Sequence, residues 1–239
     1  MKFNKNLLIV FCVSCLYFVS CKKDNELHID LGYGYAPSAP GQYVIYNVDS
    51  TIYDAFTKDT IYYKYQLKEI VESVFTDNEG RPSLRIERYI KNFSPSVSYD
   101  SIPWTLKNVW YSTTTSRHFE RVESNVRYVK LIFPDVDQST WNGNAQNTIG
   151  DWEYQYNGVN RKMSVGAFNF DSTASVVQLI DTNQINYRIY KESYAKNVGM
   201  ISKQIIDVYN DTYVNASSVL TRIKGGVIYS ATIIAHGKQ

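Results

Sequence analysis

Cysteine is almost absent from this 239-residue chain. Its three copies, Cys12, Cys15 and Cys21, all fall in the first 21 positions. The remainder has no thiol for a disulfide, a redox couple or a thiolate metal site. Histidine is as scarce. His28, His118 and His236 are far apart, with no HExxH pattern, so no zinc site is expected. The chain also lacks a G-x-S-x-G elbow, a glycine-rich phosphate loop and a G-x-G-x-x-G turn. Gly225-Gly226 follows Lys224 but precedes a strand pattern, which reads as a tight turn. No stretch of twelve or more residues carries a helical period. No cofactor and no metal are expected.

What is present begins with a three-part leader. Lys2 and Lys5 give a positive start, Leu7 to Val19 is an apolar core, and Ser20 precedes Cys21. The apolar run is too short for a spanning helix and has the layout of a secretory signal. Loss of residues 1–20 removes Lys2 and Lys5 and no acid, so the 25 basic and 23 acidic residues become 23 of each. With no net charge, nucleic acid is not an expected partner.

A cysteine directly after the cut resembles the bacterial lipoprotein signal, with Phe18 at the −3 position where leucine is commoner. That resemblance implies acylation of Cys21, palmitate included. About two chains suffice for stable anchoring, since each buried methylene contributes about 0.8 kcal/mol. The expected organisation is a signal peptide over 1–20, a lipidated flexible tether over 21–40 and one domain over 41–239. Residues 22–40, KKDNELHIDLGYGYAPSAP, show no apolar period and would reach about 60 Å when extended. Lys23, Asp24 and Glu26 resemble the export signal of surface lipoproteins in the Bacteroidota. Asp-Ser/Thr triplets at Ser50, Thr60, Ser101 and Ser172 resemble the O-glycosylation motif of that phylum; such pairs also simply favour turns. The expected location is the outer membrane, on its periplasmic face or at the cell surface.

Over 41–239 the signal is alternation. Val44, Tyr46 and Val48 share one face of a strand; Ile61, Tyr63, Tyr65 and Leu67 share one face of the next. The phase changes near Ile70, which predicts a bulge. Asp77-Asn78-Glu79-Gly80 predicts a hairpin turn before Leu84, Ile86, Arg88 and Ile90. Further strands are expected at 104–115, 117–123, 125–133, 151–157, 161–169, 174–180, 184–193, 198–210 and 226–235, with a polar loop after Pro134. The expected fold is all-β, a strongly curved antiparallel sheet or half-barrel of about ten strands, because long open sheets expose edges.

The run Glu192 to Ile201, ESYAKNVGMI, looks like the Tyr-Ala-x-Gly-Val-Gly turn of many bacterial lipoproteins. Asn197 stands for the first glycine and tolerates a left-handed backbone. Phe133-Pro134 through Trp141-Asn142-Gly143-Asn144 is similar to the same proteins. The resemblance implies a half-open, lipocalin-like or Lol-type sheet.

Candidate chemistry is thin. Asp135, Asp137 and Asp151 flank the polar loop and offer oxygen ligands for calcium, without the full loop pattern. Trp104, Trp110, Trp141 and Trp152 have two readings, the lining of a ligand cavity or sugar platform and plain core; core is favoured, with Trp141, inside the polar loop, the exception as a contact residue. The leading expectation is a non-enzymatic, lipid-anchored accessory subunit of an outer-membrane complex that binds an envelope protein. The second is a carrier of a lipid or other apolar ligand in the concave sheet. The third is a glycan hydrolase. A carrier needs a cavity, a subunit a filled interior with an exposed apolar patch, and an enzyme converging titratable groups.

Overall fold

The computed structural model describes residues 29–239. The expected leader, the expected acylation site Cys21, the expected export residues Lys23, Asp24 and Glu26, and His28 lie outside the described residues. The packed unit runs from Leu31 to Gln239. Residues 31–40 therefore belong to it, although their lack of apolar period reads as tether. Tyr35 and Ala36 are buried in the core, and the Tyr35 hydroxyl lies 3.0 Å from Asn160 Oδ1 and 2.9 Å from Ser172 Oγ. A short segment anchored by one large side chain leaves no periodic signature.

Twelve strands form one antiparallel sheet. In chain order they are β1 (Gln42–Tyr53), β2 (Thr60–Thr76), β3 (Pro82–Asn92), β4 (Thr105–Thr114), β5 (His118–Glu123) and β6 (Val126–Ile132). Then come β7 (Thr140–Asn142), β8 (Glu153–Val165), β9 (Phe168–Thr182), β10 (Asn186–Ala195), β11 (Gly199–Tyr209) and β12 (Gly225–Lys238). Each strand pairs with its neighbours in sequence, except that β1 also pairs with β12 and β6 and β7 end the sheet. The two ends meet. Val129 N–H on β6 donates to Gly143 O at 2.8 Å just past β7, and Trp141 Nε1 donates to Val129 O at 2.9 Å. Tyr156 OH donates to Ile132 O at 2.7 Å. The sheet is thus a nearly closed barrel, stitched at its seam mostly by side chains.

The expected all-β curved sheet is present, with twelve strands instead of about ten. β7 is three residues long inside the polar loop, below the reach of alternation. β8 is a single strand that reads as two. Gly158 and Asn160 take positive φ (100° and 54°), and the β8–β9 register shifts three times between Tyr156 and Met163. Each bulge flips the alternation. The expected bulge near Ile70 occurs between Val71 and Ser73. The turn after β2 closes as read, with Asp77 Oδ1 accepting from the N–H groups of Glu79 and Arg81 at 2.9 Å each and Gly80 at φ 78°. Asn197 holds φ 62° between β10 and β11.

Two apolar clusters fill much of the unit. One gathers Tyr35, Phe119, Leu131, Phe133, Tyr154, Tyr156 and Tyr194; the other gathers Val44, Tyr46, Val48, Leu67, Ile201 and Ile233. Tyrosine serves here because its ring packs while its hydroxyl finds a carbonyl, as Tyr46 OH does on Met200 O at 2.8 Å.

Candidate functional site: a charge-lined cavity in the barrel

Register places the even residues of β1 and the odd residues of β2 on the inner face: Tyr46 opposes Leu67, and Val48 opposes Tyr65. Continuing inward along β2 and β3, Glu69 opposes Arg88. This is where the alternation stops being apolar. Arg88 Nε donates to Glu69 Oε1 at 2.8 Å. Arg121 Nη2 on β5 lies 2.6 Å from Glu69 Oε2, an ion pair with poor hydrogen-bond alignment. Arg121 Nε is 3.6 Å from Glu123 Oε1, which is 3.3 Å from Lys130 Nζ on β6. Lys130 Nζ donates to Glu192 Oε1 on β10 at 3.0 Å, and Lys203 Nζ on β11 is 2.9 Å from the same oxygen. Arg88, Glu69, Arg121, Glu123, Lys130, Glu192 and Lys203 therefore alternate in sign along one chain of contacts through the barrel.

The burial of this chain is deep. Glu69 and Arg88 are 8% and 7% exposed, and Lys130 and Glu192 are 3% and 1%. Burial alone would raise the Glu192 pKa, but Lys130, then Lys203 and a hydrogen bond from Tyr194 OH, hold it well below the carboxylate range. Glu123 follows the same logic, with burial outweighed by Lys130, Lys203 and Arg121, and falls to about 2. Glu69 is likewise lowered, because Arg121 and Arg88 outweigh its desolvation. Burial pushes Lys130 and Lys203 down, and their carboxylates more than reverse it, so both are raised. Glu69, Glu123 and Glu192, with Arg121, Lys130 and Lys203, therefore stay charged at neutral pH.

One side of the chain borders a cavity of about 260 Å³, lined in part by Tyr65, Arg88, Lys107, Trp110, Lys203 and Tyr229. The Arg88 guanidinium carbon sits 3.4 Å from the Trp110 ring centroid, and that of Arg121 sits 4.8 Å from it. A desolvated stack of this kind contributes about 2 kcal/mol. Lys107 Nζ is 4.9 Å from the Tyr65 ring centroid and has no carboxylate partner among the described residues. Its pKa is lowered by burial and then by Arg88.

Of the sequence-predicted residues Trp110 lines this cavity; the others fall elsewhere. Trp141 packs against the core with its ring 4.8 Å from that of Tyr156, and closes the seam rather than presenting a free contact surface. Its place in a polar sequence concealed a partner 12 residues away. Trp152 donates from Nε1 to Gln178 O at 2.5 Å, and Trp104 carries Lys91 Nζ at 4.6 Å from its ring centroid. Thr60 and Ser101 are exposed, whereas Ser50 and Ser172 are partly buried. Asp137 accepts from Gly158 N–H at 2.7 Å and Asp151 from Asn142 Nδ2 at 2.6 Å. Among the described residues no group of three or more His, Cys, Asp or Glu is placed to hold a metal. His118 Nδ1 lies 3.0 Å from Glu120 Oε1, and His236 packs its ring 5.2 Å from that of Phe168.

The cavity residues come from β2, β3, β4, β5, β11 and β12, so no local motif marks them. Besides the aromatic Trp110, the signal in the sequence is a charge on the inward phase of an apolar strand, as at Glu69 after Tyr65 and Leu67.

No protein-family model matches the chain. No curated protein matches it. Among solved structures, it is similar to a Bacteroides fragilis protein described as exported and of YmcC-like fold, at 10% identity and a TM-score of 0.43, over 85% of this chain and 98% of that one. It is also similar to a Parabacteroides distasonis protein described as a lipoprotein, at 10% identity and a TM-score of 0.38 over the same shares.

Proposed function

We propose that this chain is a non-enzymatic binding protein of the bacterial cell envelope, held by the lipid on Cys21, which takes a small ligand into its barrel. The observation that carries the reading is the cavity of about 260 Å³ between Trp110, Arg88 and Lys203. An accessory subunit needs its interior only as packing, and packing favours apolar groups over a buried chain of seven charges. Hydrolysis is disfavoured by the same groups. A general acid needs a raised pKa, and Glu69, Glu123 and Glu192 are all lowered by their cations. A wholly apolar ligand is disfavoured because it would leave Arg88 and Lys107 facing hydrocarbon.

A second reading keeps the protein partner. Large apolar side chains are exposed at the barrel end that carries the β1–β2, β3–β4 and β11–β12 loops: Phe56, Tyr62, Phe93, Leu106, Tyr213 and Leu220. Phe56 is 94% exposed. Such crowding suits docking on an envelope protein.

Purification of the full chain from its own membranes in detergent, with mass spectrometry of co-purifying proteins and small molecules, tests both. A small molecule or lipid beyond the acyl chains of Cys21 supports the ligand reading. A stoichiometric envelope protein with no such molecule supports docking and overturns it.

A further inference from the structure

The charge balance of the cavity says what kind of ligand it takes. Along the contact chain, Arg88, Arg121, Lys130 and Lys203 face only three carboxylates, Glu69, Glu123 and Glu192. Cations stand at both ends. Lys107 adds a further positive charge with no carboxylate beside it. The excess of cations on this wall, with Lys107 at its exposed edge, favours a ligand of opposite charge.

The hydrogen-bonding inventory has the same bias. The buried Trp110 Nε1 has no acceptor, and Arg121 Nε, on a residue only 5% exposed, has Glu123 Oε1 at 3.6 Å, beyond hydrogen-bond reach. Both are groups that only donate. The unmatched groups on this wall are thus donors and cations. The remaining wall is apolar or aromatic: Leu67, Met200, Ile205, Ala231 and the faces of Tyr65 and Tyr229. A cavity of about 150 Å³ accepts benzene, so about 260 Å³ leaves room for an acidic head on a body of that size.

We propose that the cavity binds a small amphipathic anion, its acidic head between Lys107, Arg88 and Trp110 and its apolar body against Leu67, Met200 and Ile205. The proposal rests on the reading of the barrel interior as a ligand site. Lys107 sets the preference for the anion. Arg88 and Arg121 are already tied to Glu69, whereas Lys107 holds no carboxylate and lies on the exposed part of β4, where its replacement leaves the buried charges paired.

The test is titration calorimetry of the full chain in detergent with three probes: indole-3-acetate, its neutral amide, and inorganic phosphate. The acid is expected to bind at least tenfold more tightly than the amide and than phosphate. Lys107→Gln is expected to weaken the acid about tenfold and leave the amide unchanged, and Lys107→Glu to abolish the preference. Equal binding of acid and amide would overturn the anion class and leave the ligand site standing. Phosphate binding as tightly as the acid would overturn the amphipathic body. Failure of all three to bind would overturn the ligand site itself.

Discussion

Lys130 Nζ and Glu192 Oε1 lie 3.0 Å apart across the barrel interior, joining β6 to β10, two strands that share no ladder. The pair is the middle of the buried chain of charges, and Lys203 depends on the same carboxylate. Removing one member of a buried pair leaves the other uncompensated. Glu192→Gln is expected to destabilise the barrel by about 3–5 kcal/mol in urea unfolding. In a double-mutant cycle with Lys130→Met, the coupling should be about 0.5–3 kcal/mol, since contacting residues are not additive. A coupling near zero would mean that the two charges are separately solvated.

Acid should dismantle the same chain. The folded pKa values of Glu69, Glu123 and Glu192 are all below their unfolded values. A depressed carboxylate contributes its stability above the unfolded pKa and loses it as pH falls through the folded one. Stability is therefore expected to be flat down to about pH 5, on the unfolded glutamate value of about 4.3, and to fall from there toward about pH 2, where Glu123 titrates. Unfolding midpoints measured at unit pH steps check this. In Glu192→Gln the fall should be shallower.

Trp141 holds the seam with one hydrogen bond to Val129 O and ring contacts to Tyr154 and Tyr156. Trp141→Ala is expected to cost about 3 kcal/mol and to speed hydrogen exchange first in β6 and β7. Equal acceleration throughout the sheet would show that the seam is not a separate weak point.

Much of this fold is legible before any coordinates. The Asp77–Gly80 turn, the bulge after Ile70 and the left-handed Asn197 each follow from a residue type with one strong backbone preference. Strand number is less legible, because Gly158 and Asn160 break the phase of β8 without ending it. The packed role of Tyr35 and the seam role of Trp141 are invisible for a different reason. Their partners, Ser172 and Val129, are distant in sequence, and neither contact has a period. The cavity is the extreme case. Glu69, Arg121 and Lys203 look like ordinary strand charges until β2, β5 and β11 surround one space.

Asn197 offers a check on the turn. With φ at 62° it occupies a region that costs β-branched residues about 1–2 kcal/mol. Asn197→Gly should leave the unfolding midpoint close to unchanged, and Asn197→Val should lower stability by about that amount. Equal loss in both would place the side chain of Asn197, rather than its backbone, at the centre of the turn.

The central claim is that a small anionic ligand occupies the barrel. The most direct measurement is the high-resolution crystal structure of the full chain purified from its native source. The account predicts density for an acidic group within hydrogen-bonding distance of Lys107 Nζ and Arg88, continuing into an apolar body beside Trp110 and Met200. Ordered water alone throughout that space would contradict it.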